Sequence, residues 1–176
     1  MKKYTSFLIA AILVATSAFA SAADYVRTNA ITLVDGSSDF FPVESFASGS
    51  LGKTFSDSFT FVIPSLSSAD SNVSSISFDD TTGINFSLFN LYKAGSTVAA
   101  ATGSLDADSG LWIISGTNLS AGNYFFKVEG AITTNEAVSY SGNVLVSAVP
   151  EADTYAMLLA GMGLVGFVAR RRKAVA

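Results

Sequence analysis

The sequence predicts an all-β protein whose strands form an antiparallel β-sandwich. Three observations support this prediction. Between residues 24 and 148, no stretch keeps a helical period of apolar residues. Short runs rich in Phe, Val, Ile, Thr and Ser occur instead, and clusters of Gly, Asn, Asp and Ser separate them. Many short strands with no helices between them are typical of two sheets packed face to face.

The first 22 residues have the pattern of a secretory signal peptide. Lys2 and Lys3 precede an uncharged apolar run over Phe7–Ala20. Small residues then fit cleavage by signal peptidase before Ser21 or before Ala23. We therefore expect residues 1–22 to be removed and the remainder to be exported.

Residues 23–148 are predicted to form the sandwich domain, a length sufficient for one hydrophobic core. Turn signals such as Asp35-Gly36 and Ala121-Gly122-Asn123 separate its strands. The predicted strands are Ala30–Val34, Phe40–Phe46, Phe55–Ile63, Val73–Phe78, Ile84–Tyr92, Thr97–Thr102, Leu111–Ser115, Tyr124–Glu129 and Ser139–Ser147.

Composition limits the chemistry of this domain. The chain has no Cys and no His, which removes thiol nucleophiles, the commonest general base and the usual zinc ligands. Four bases and twelve acids between Asp24 and Val149 leave a net charge of −8. Such a domain repels nucleic acid, so nucleic acid is not an expected partner. We expect a protein that is not an enzyme.

One acidic residue, Asp57, lies on the apolar face of a predicted strand. In Phe55–Ile63, Asp57 shares a face with Phe55 and Phe59. A carboxylate in a core is costly unless it is bonded. Either the strand begins after Asp57, or the carboxylate caps turn amides, or it binds Ca²⁺; capping is the favoured interpretation. Asp106 and Asp108, before Gly110, are likewise weak calcium candidates, and a plain acidic hairpin turn is favoured there because Thr117 stands where a Glu would be needed. No cofactor is expected apart from this possible calcium.

The C-terminal region predicts a transmembrane helix over residues 154–169. These sixteen residues carry no charge and would form about 24 Å of helix, against a hydrocarbon core of about 30 Å. Four cations follow and would keep the C-terminus in the cytoplasm, with the domain outside: Arg170, Arg171, Arg172 and Lys173. A span this short indicates a temporary anchor in the inner membrane rather than a permanent one.

Val149, Pro150 and Glu151, followed by the apolar helix and the basic cluster, resemble the PEP-CTERM sorting signal, here residues 149–176. The pattern departs at Ala152, where the family has a second Pro. The resemblance implies processing by exosortase, a membrane peptidase of bacteria that make exopolysaccharide. Phe55, Asp57 and Phe59 are similar to the motif of the FxDxF subgroup of these proteins.

A second resemblance concerns the domain itself. The stretches 86–92 and 119–130 are similar to bacterial pre-peptidase C-terminal β-sandwiches. This resemblance implies a jelly-roll-like arrangement, with calcium or glycan binding as its functional implication.

One favoured function and two alternatives remain for the exported domain. The first is a non-enzymatic surface or extracellular-matrix protein, released to the surface after processing in an exopolysaccharide or biofilm setting. The alternatives are a carbohydrate-binding module and a permanently tail-anchored envelope protein. Exposed rings in a row, including Tyr92, Trp112 or Tyr124, would favour carbohydrate binding, and buried rings the first function. We expect Trp112 to lie in the core, since both faces of its strand are apolar.

Overall fold

In the computed structural model, residues 23–42, 44–76, 83–149 and 152–173 are described, and they form ten strands and one helix. The predicted signal peptide, residues 1–22, lies outside the described residues, as do Pro150 and Glu151. The elements are β1 Tyr25–Ala30, β2 Ser37–Phe40, β3 Thr54–Ile63, β4 Ser67–Ile76, β5 Ile84–Lys93, β6 Ala99–Thr102, β7 Ser104–Leu105, β8 Trp112–Leu119, β9 Gly122–Ile132, β10 Ser139–Ala148 and α1 Ala152–Lys173.

The strands form two five-stranded sheets, which confirms the all-β prediction. The first sheet has the order β1-β3-β9-β5-β6, and the second has the order β2-β10-β4-β8-β7. Neighbouring strands are antiparallel except β1 and β3, which run parallel. The prediction of a purely antiparallel sandwich is therefore wrong at one edge. The jelly-roll-like arrangement stays a prediction.

Aromatic rings from both sheets fill the space between them. Phe40 of β2 stacks on Phe126 of β9, with ring centroids 5.7 Å apart. Tyr140 of β10 contacts the rings of Phe55 and Phe59 on β3. Burying a side chain of this kind contributes about 1.5–3 kcal/mol, so these rings are a main source of the domain's stability. The alternation along β3 places four of its apolar side chains in this core: Phe55, Phe59, Phe61 and Ile63.

Three predicted strands differ clearly from the structure, and one of them, Phe40–Phe46, is observed as β2, which already ends at Phe40. The strand predicted over Ala30–Val34 lies earlier, as β1, because a turn with positive φ at Asp35 and Gly36 closes the chain back on β2. The strand predicted from Val73 begins at Ser67. Its missed half is rich in small residues, and those facing inward are buried: Ser67, Ala69 and Ser71. Small side chains leave room for the rings that the opposite sheet contributes.

The C-terminal helix α1 extends beyond the predicted span at both ends. Its side chains from Thr154 to Arg170 are all exposed. Within the described part of the chain, no helix has the combination of length and apolar character needed to cross a bilayer. The predicted transmembrane helix over residues 154–169 is therefore not confirmed.

Candidate functional site

The Phe-Asp-Phe motif lies in the middle of the core. Phe55, Asp57 and Phe59 all face inward from β3, and Asp57 has no exposed surface. Since β3 begins at Thr54, the interpretation in which the strand starts after Asp57 is wrong. The motif therefore places a carboxylate between two buried rings, where it must be paired to be tolerated.

Two side chains pair with the carboxylate of Asp57. The Arg27 Nε donates to Oδ1 at 2.7 Å, and the Arg27 Nη2 donates to Oδ2 at 2.7 Å. The Tyr140 hydroxyl donates to Oδ2 at 2.5 Å. The favoured expectation, that Asp57 caps turn amides, is thus wrong, because its oxygens accept hydrogen bonds from an arginine fork and a phenol. A bidentate arginine is the geometry that best compensates a buried carboxylate.

The parallel pairing of β1 with β3 brings Arg27 to this position. Arg27 is the register partner of Asp57 in that ladder. Its Nη1 donates to the carbonyl oxygen of Glu44 at 2.6 Å, and its guanidinium carbon lies 4.4 Å from the centroid of the Phe46 ring. Sequence reasoning missed Arg27 because it placed the first strand at Ala30. The alternation of Tyr25, Arg27 and Asn29 with smaller exposed residues was the available signal.

Tyr140 completes this buried cluster as a donor. The residue has no exposed surface, and its ring stacks against Phe55 at 5.4 Å. Burial raises the pKa of Tyr140 far above its usual value, and the negative charge of Asp57 and the hydrogen bond to it raise the pKa further. The phenol therefore stays protonated and holds its hydrogen bond to Asp57. We call Arg27, Asp57 and Tyr140 the buried triad.

The other acidic candidates lie in a turn. Asp106 accepts hydrogen bonds from the Ser109 hydroxyl at 2.5 Å and from the backbone N–H of Asp108 at 3.4 Å. The hydrogen bond from Ser109 lowers the pKa of the Asp106 carboxyl. This is the acidic hairpin turn that the sequence favoured. Among the described residues, no three acidic side chains form a group that could hold a metal ion.

The three rings proposed as sugar-stacking candidates do not form a row. Tyr124 is buried, and Trp112 is half-buried and packs against the core. Tyr92 lies half-buried, stacked on Phe125 at 5.3 Å. The expectation that Trp112 lies in the core is therefore confirmed only in part, since the ring packs at the edge of the core and stays half-exposed. The expectation that both faces of its strand are buried is wrong, since Ile113 is exposed.

At the start of the tail, the backbone N–H of Val149 donates to the carbonyl oxygen of Leu66 at 2.9 Å. This bond attaches the start of the sorting motif to the loop between β3 and β4. The rest of the motif, Pro150 and Glu151, is outside the described residues. Further along, Arg170 is exposed on α1, and the backbone of Arg171, Arg172 and Lys173 completes the helix.

Comparison with known proteins shows what the tail resembles. Residues 148–173 match the PEP-CTERM protein-sorting motif, which confirms that prediction; the FxDxF subgroup is not confirmed. None of the curated proteins matches the chain. A solved structure of the periplasmic g-type lysozyme inhibitor PliG from Aeromonas hydrophila is similar, with 21% identity and a TM-score of 0.43 over 69% of this chain and 97% of that one. The pre-peptidase C-terminal domain of a Bacillus anthracis collagenase is similar with 18% identity and a TM-score of 0.41, over 70% and 97% of the two chains. The C-terminal segment of this chain thus carries a PEP-CTERM protein-sorting motif.

Proposed function

We propose that this chain is an exported, non-catalytic surface or extracellular-matrix protein that exosortase processes at its C-terminal signal. The observation that carries the proposal is the match of residues 148–173 to the sorting motif. On this proposal the signal peptide directs export, the tail holds the protein briefly at the inner membrane, and cleavage releases the sandwich domain. Its setting is the exopolysaccharide layer or biofilm of the producing cell.

The geometry of α1 supports a role for the tail outside the domain. Large apolar side chains project from opposite sides of the helix, among them Leu158, Met162, Leu164 and Phe167, and all are exposed. A helix that is apolar all round requires either burial in protein or contact with lipid. Because the sandwich does not bury these side chains, a membrane or a membrane enzyme is the natural partner.

The non-catalytic part of the proposal rests on what the chain can offer. The sequence contains no His and no Cys. The buried carboxylate of Asp57 is already bonded to Arg27 and Tyr140, so it is not available as a general base. The burial of Tyr124 and the packing of Trp112 against the core support a structural role over carbohydrate binding.

Intact-mass measurement tests the proposal. The protein is purified from exosortase-containing cells and from cells that lack the peptidase. With the peptidase, we expect a mature form that ends between Val149 and Asp153 and lacks the basic cluster. Pro150→Ala should reduce processing, because Pro holds the chain extended before the helix. Ser48→Ala, a change at an exposed loop residue before β3, is the control.

Two results separate the alternatives. A full-length chain in both strains, found in the membrane fraction, would favour the permanently tail-anchored protein. Equal processing of the parent chain and Pro150→Ala would show that processing does not depend on Pro150.

A further inference from the structure

The two ends of the sandwich differ in the chemistry that they expose. Ile63 pairs with Gly122 and Ala148 pairs with Ser67, so these strand termini lie at one end. The tail leaves the domain there. We call this the tail end, formed by residues 31–36, 62–66, 93–98, 120–123 and 147–149. The far end is formed by residue 24 and residues 44–54, 105–112 and 132–138.

Apolar side chains are exposed across the tail end. Val98 is 76% exposed, Val34 67% and Val62 58%. Leu66 and Val149 are also exposed. Beside them is an open groove of about 510 Å³, lined largely by apolar side chains: Ile31, Leu33, Val62, Pro64, Val146 and Ala148. Gly36 and the polar residues Thr32, Ser65 and Ser67 complete the lining.

Charge separates the ends more clearly than apolar exposure does. Leu51 at the far end is as exposed as Val62, so exposure alone does not distinguish them. Within the described residues, the tail end carries one acid and one base, Asp35 and Lys93. The far end carries one base, Lys53, and a group of acids: Asp24, Glu44, Asp106, Asp108 and Glu136. Only the tail end combines apolar exposure with near-zero charge, which is what contact with lipid requires.

The short linker between the domain and α1 limits the distance between the tail end and the helix. Ala152 begins the helix three residues after Val149. Three residues extend about 10 Å at most. A helix inserted in a bilayer would therefore hold the tail end against the lipid surface. The far end, about one β3 length away, would stay roughly 30 Å from it.

We infer that the tail end is a lipid-contacting surface that rests on the uncharged interface of the membrane while the tail is attached. This inference rests on the proposed membrane step of the sorting signal. The partner is a zwitterionic lipid surface, because the tail end lacks the group of Lys and Arg side chains that anionic headgroups select. Contact there would hold the cleavage motif at the depth of the bilayer interface.

Site-specific fluorescence in vesicles tests the inference, and a chain without Cys suits it. Four full-length variants are each labelled with a polarity-sensitive fluorophore: Val62→Cys, Val98→Cys, Leu51→Cys and Leu164→Cys. They are reconstituted in phosphatidylcholine vesicles in which some lipids carry a nitroxide quencher near the headgroup. The control Leu51 is 59% exposed, which matches the 58% of Val62.

The inference predicts blue-shifted and strongly quenched emission at Leu164, Val62 and Val98, and unquenched emission at Leu51. If Leu164 is quenched while Val62 and Val98 behave like Leu51, the tail enters the membrane but the lipid-contacting surface is wrong. If Leu164 is not quenched, the membrane step of the proposed function fails together with this inference. Quenching at all four positions would indicate non-specific adsorption and overturn it. Quenching of Val62 and Val98 only in vesicles that contain exosortase would assign the surface to the peptidase instead.

Discussion

Two sequence motifs of this chain differ in burial: one lies in the core and the other is exposed. The Phe-Asp-Phe motif of β3 is buried, and its acid is bonded inside the domain. The sorting segment, in contrast, exposes every described side chain of α1 from Thr154 to Arg170. The first motif is explained by the chain's own packing. Among the described residues of the second, the sandwich buries no side chain, and we propose that this segment serves a partner outside the protein.

The buried triad shows how a charged group becomes part of a core. Removing a carboxylate from water costs several kcal/mol, and an arginine with good geometry offsets that cost. Here the arginine comes from β1, a parallel edge strand. Arg27 also contacts the Phe46 ring and the Glu44 carbonyl, so one side chain joins β1, β3 and the chain between β2 and β3.

Arg27→Met has the largest expected effect on stability. It leaves the Asp57 carboxylate buried without its cation, so we expect a loss of about 3–5 kcal/mol in the free energy of unfolding. Urea unfolding at pH 7, followed by Trp112 emission, measures it. Arg170→Met, which removes an exposed arginine from α1, should change the value by less than about 0.5 kcal/mol.

A double variant tests the mechanism behind that loss. Arg27→Met combined with Asp57→Leu removes both charges, and it should recover part of the stability because no carboxylate remains buried. If the double variant is less stable than Arg27→Met alone, the loss comes from packing around Arg27 rather than from an uncompensated charge.

Tyr140→Phe has the next largest expected effect. The phenol donates to a charged acceptor, so its removal should cost about 1.5–3 kcal/mol. The raised pKa adds a pH dependence: the folded state holds the proton more tightly, so the stabilisation is complete below the ordinary tyrosine pKa of 10.0 and declines as the pH rises above it. Urea unfolding between pH 7 and pH 11 should show a smaller decline for Tyr140→Phe than for the parent chain.

Tyr155→Phe is the matched change on the tail. Tyr155 is 57% exposed on α1, so its replacement should leave the stability of the sandwich unchanged. Equal pH dependence of the parent chain and Tyr140→Phe would mean that the phenol does not remain protonated through its bond to Asp57.

Local patterns were sufficient for much of this structure. The alternation along β3 predicted its bounds to within one residue and placed Asp57 on the face of the Phe residues, and the turn signals predicted the all-β fold. The partner of Asp57 was not predictable in the same way, because Arg27 reaches it through a parallel pairing between residues 30 positions apart in the chain. The Ser-rich start of β4 was missed because its burial depends on rings from the opposite sheet. The sorting motif was recognised because its elements are contiguous in sequence.

Substitutions at two glycines, one in the sandwich and one in α1, have the smallest expected effects on stability. A Cβ at Gly142 on β10 would collide with the Phe40 ring and the Asn72 carbonyl oxygen, whereas one at Gly163 on α1 would meet nothing within 4 Å. Gly142→Ala should therefore cost about 1–3 kcal/mol of overpacking, partly offset by up to about 1 kcal/mol from reduced backbone freedom of the unfolded chain. Gly163→Ala should leave urea unfolding of the sandwich unchanged and raise the helix content seen by circular dichroism, because Ala favours a helix by about 1 kcal/mol over Gly. A destabilised sandwich in Gly163→Ala would show that α1 packs on the domain. The contrast between the buried Phe-Asp-Phe motif and an exposed sorting segment that serves an external partner would then no longer hold.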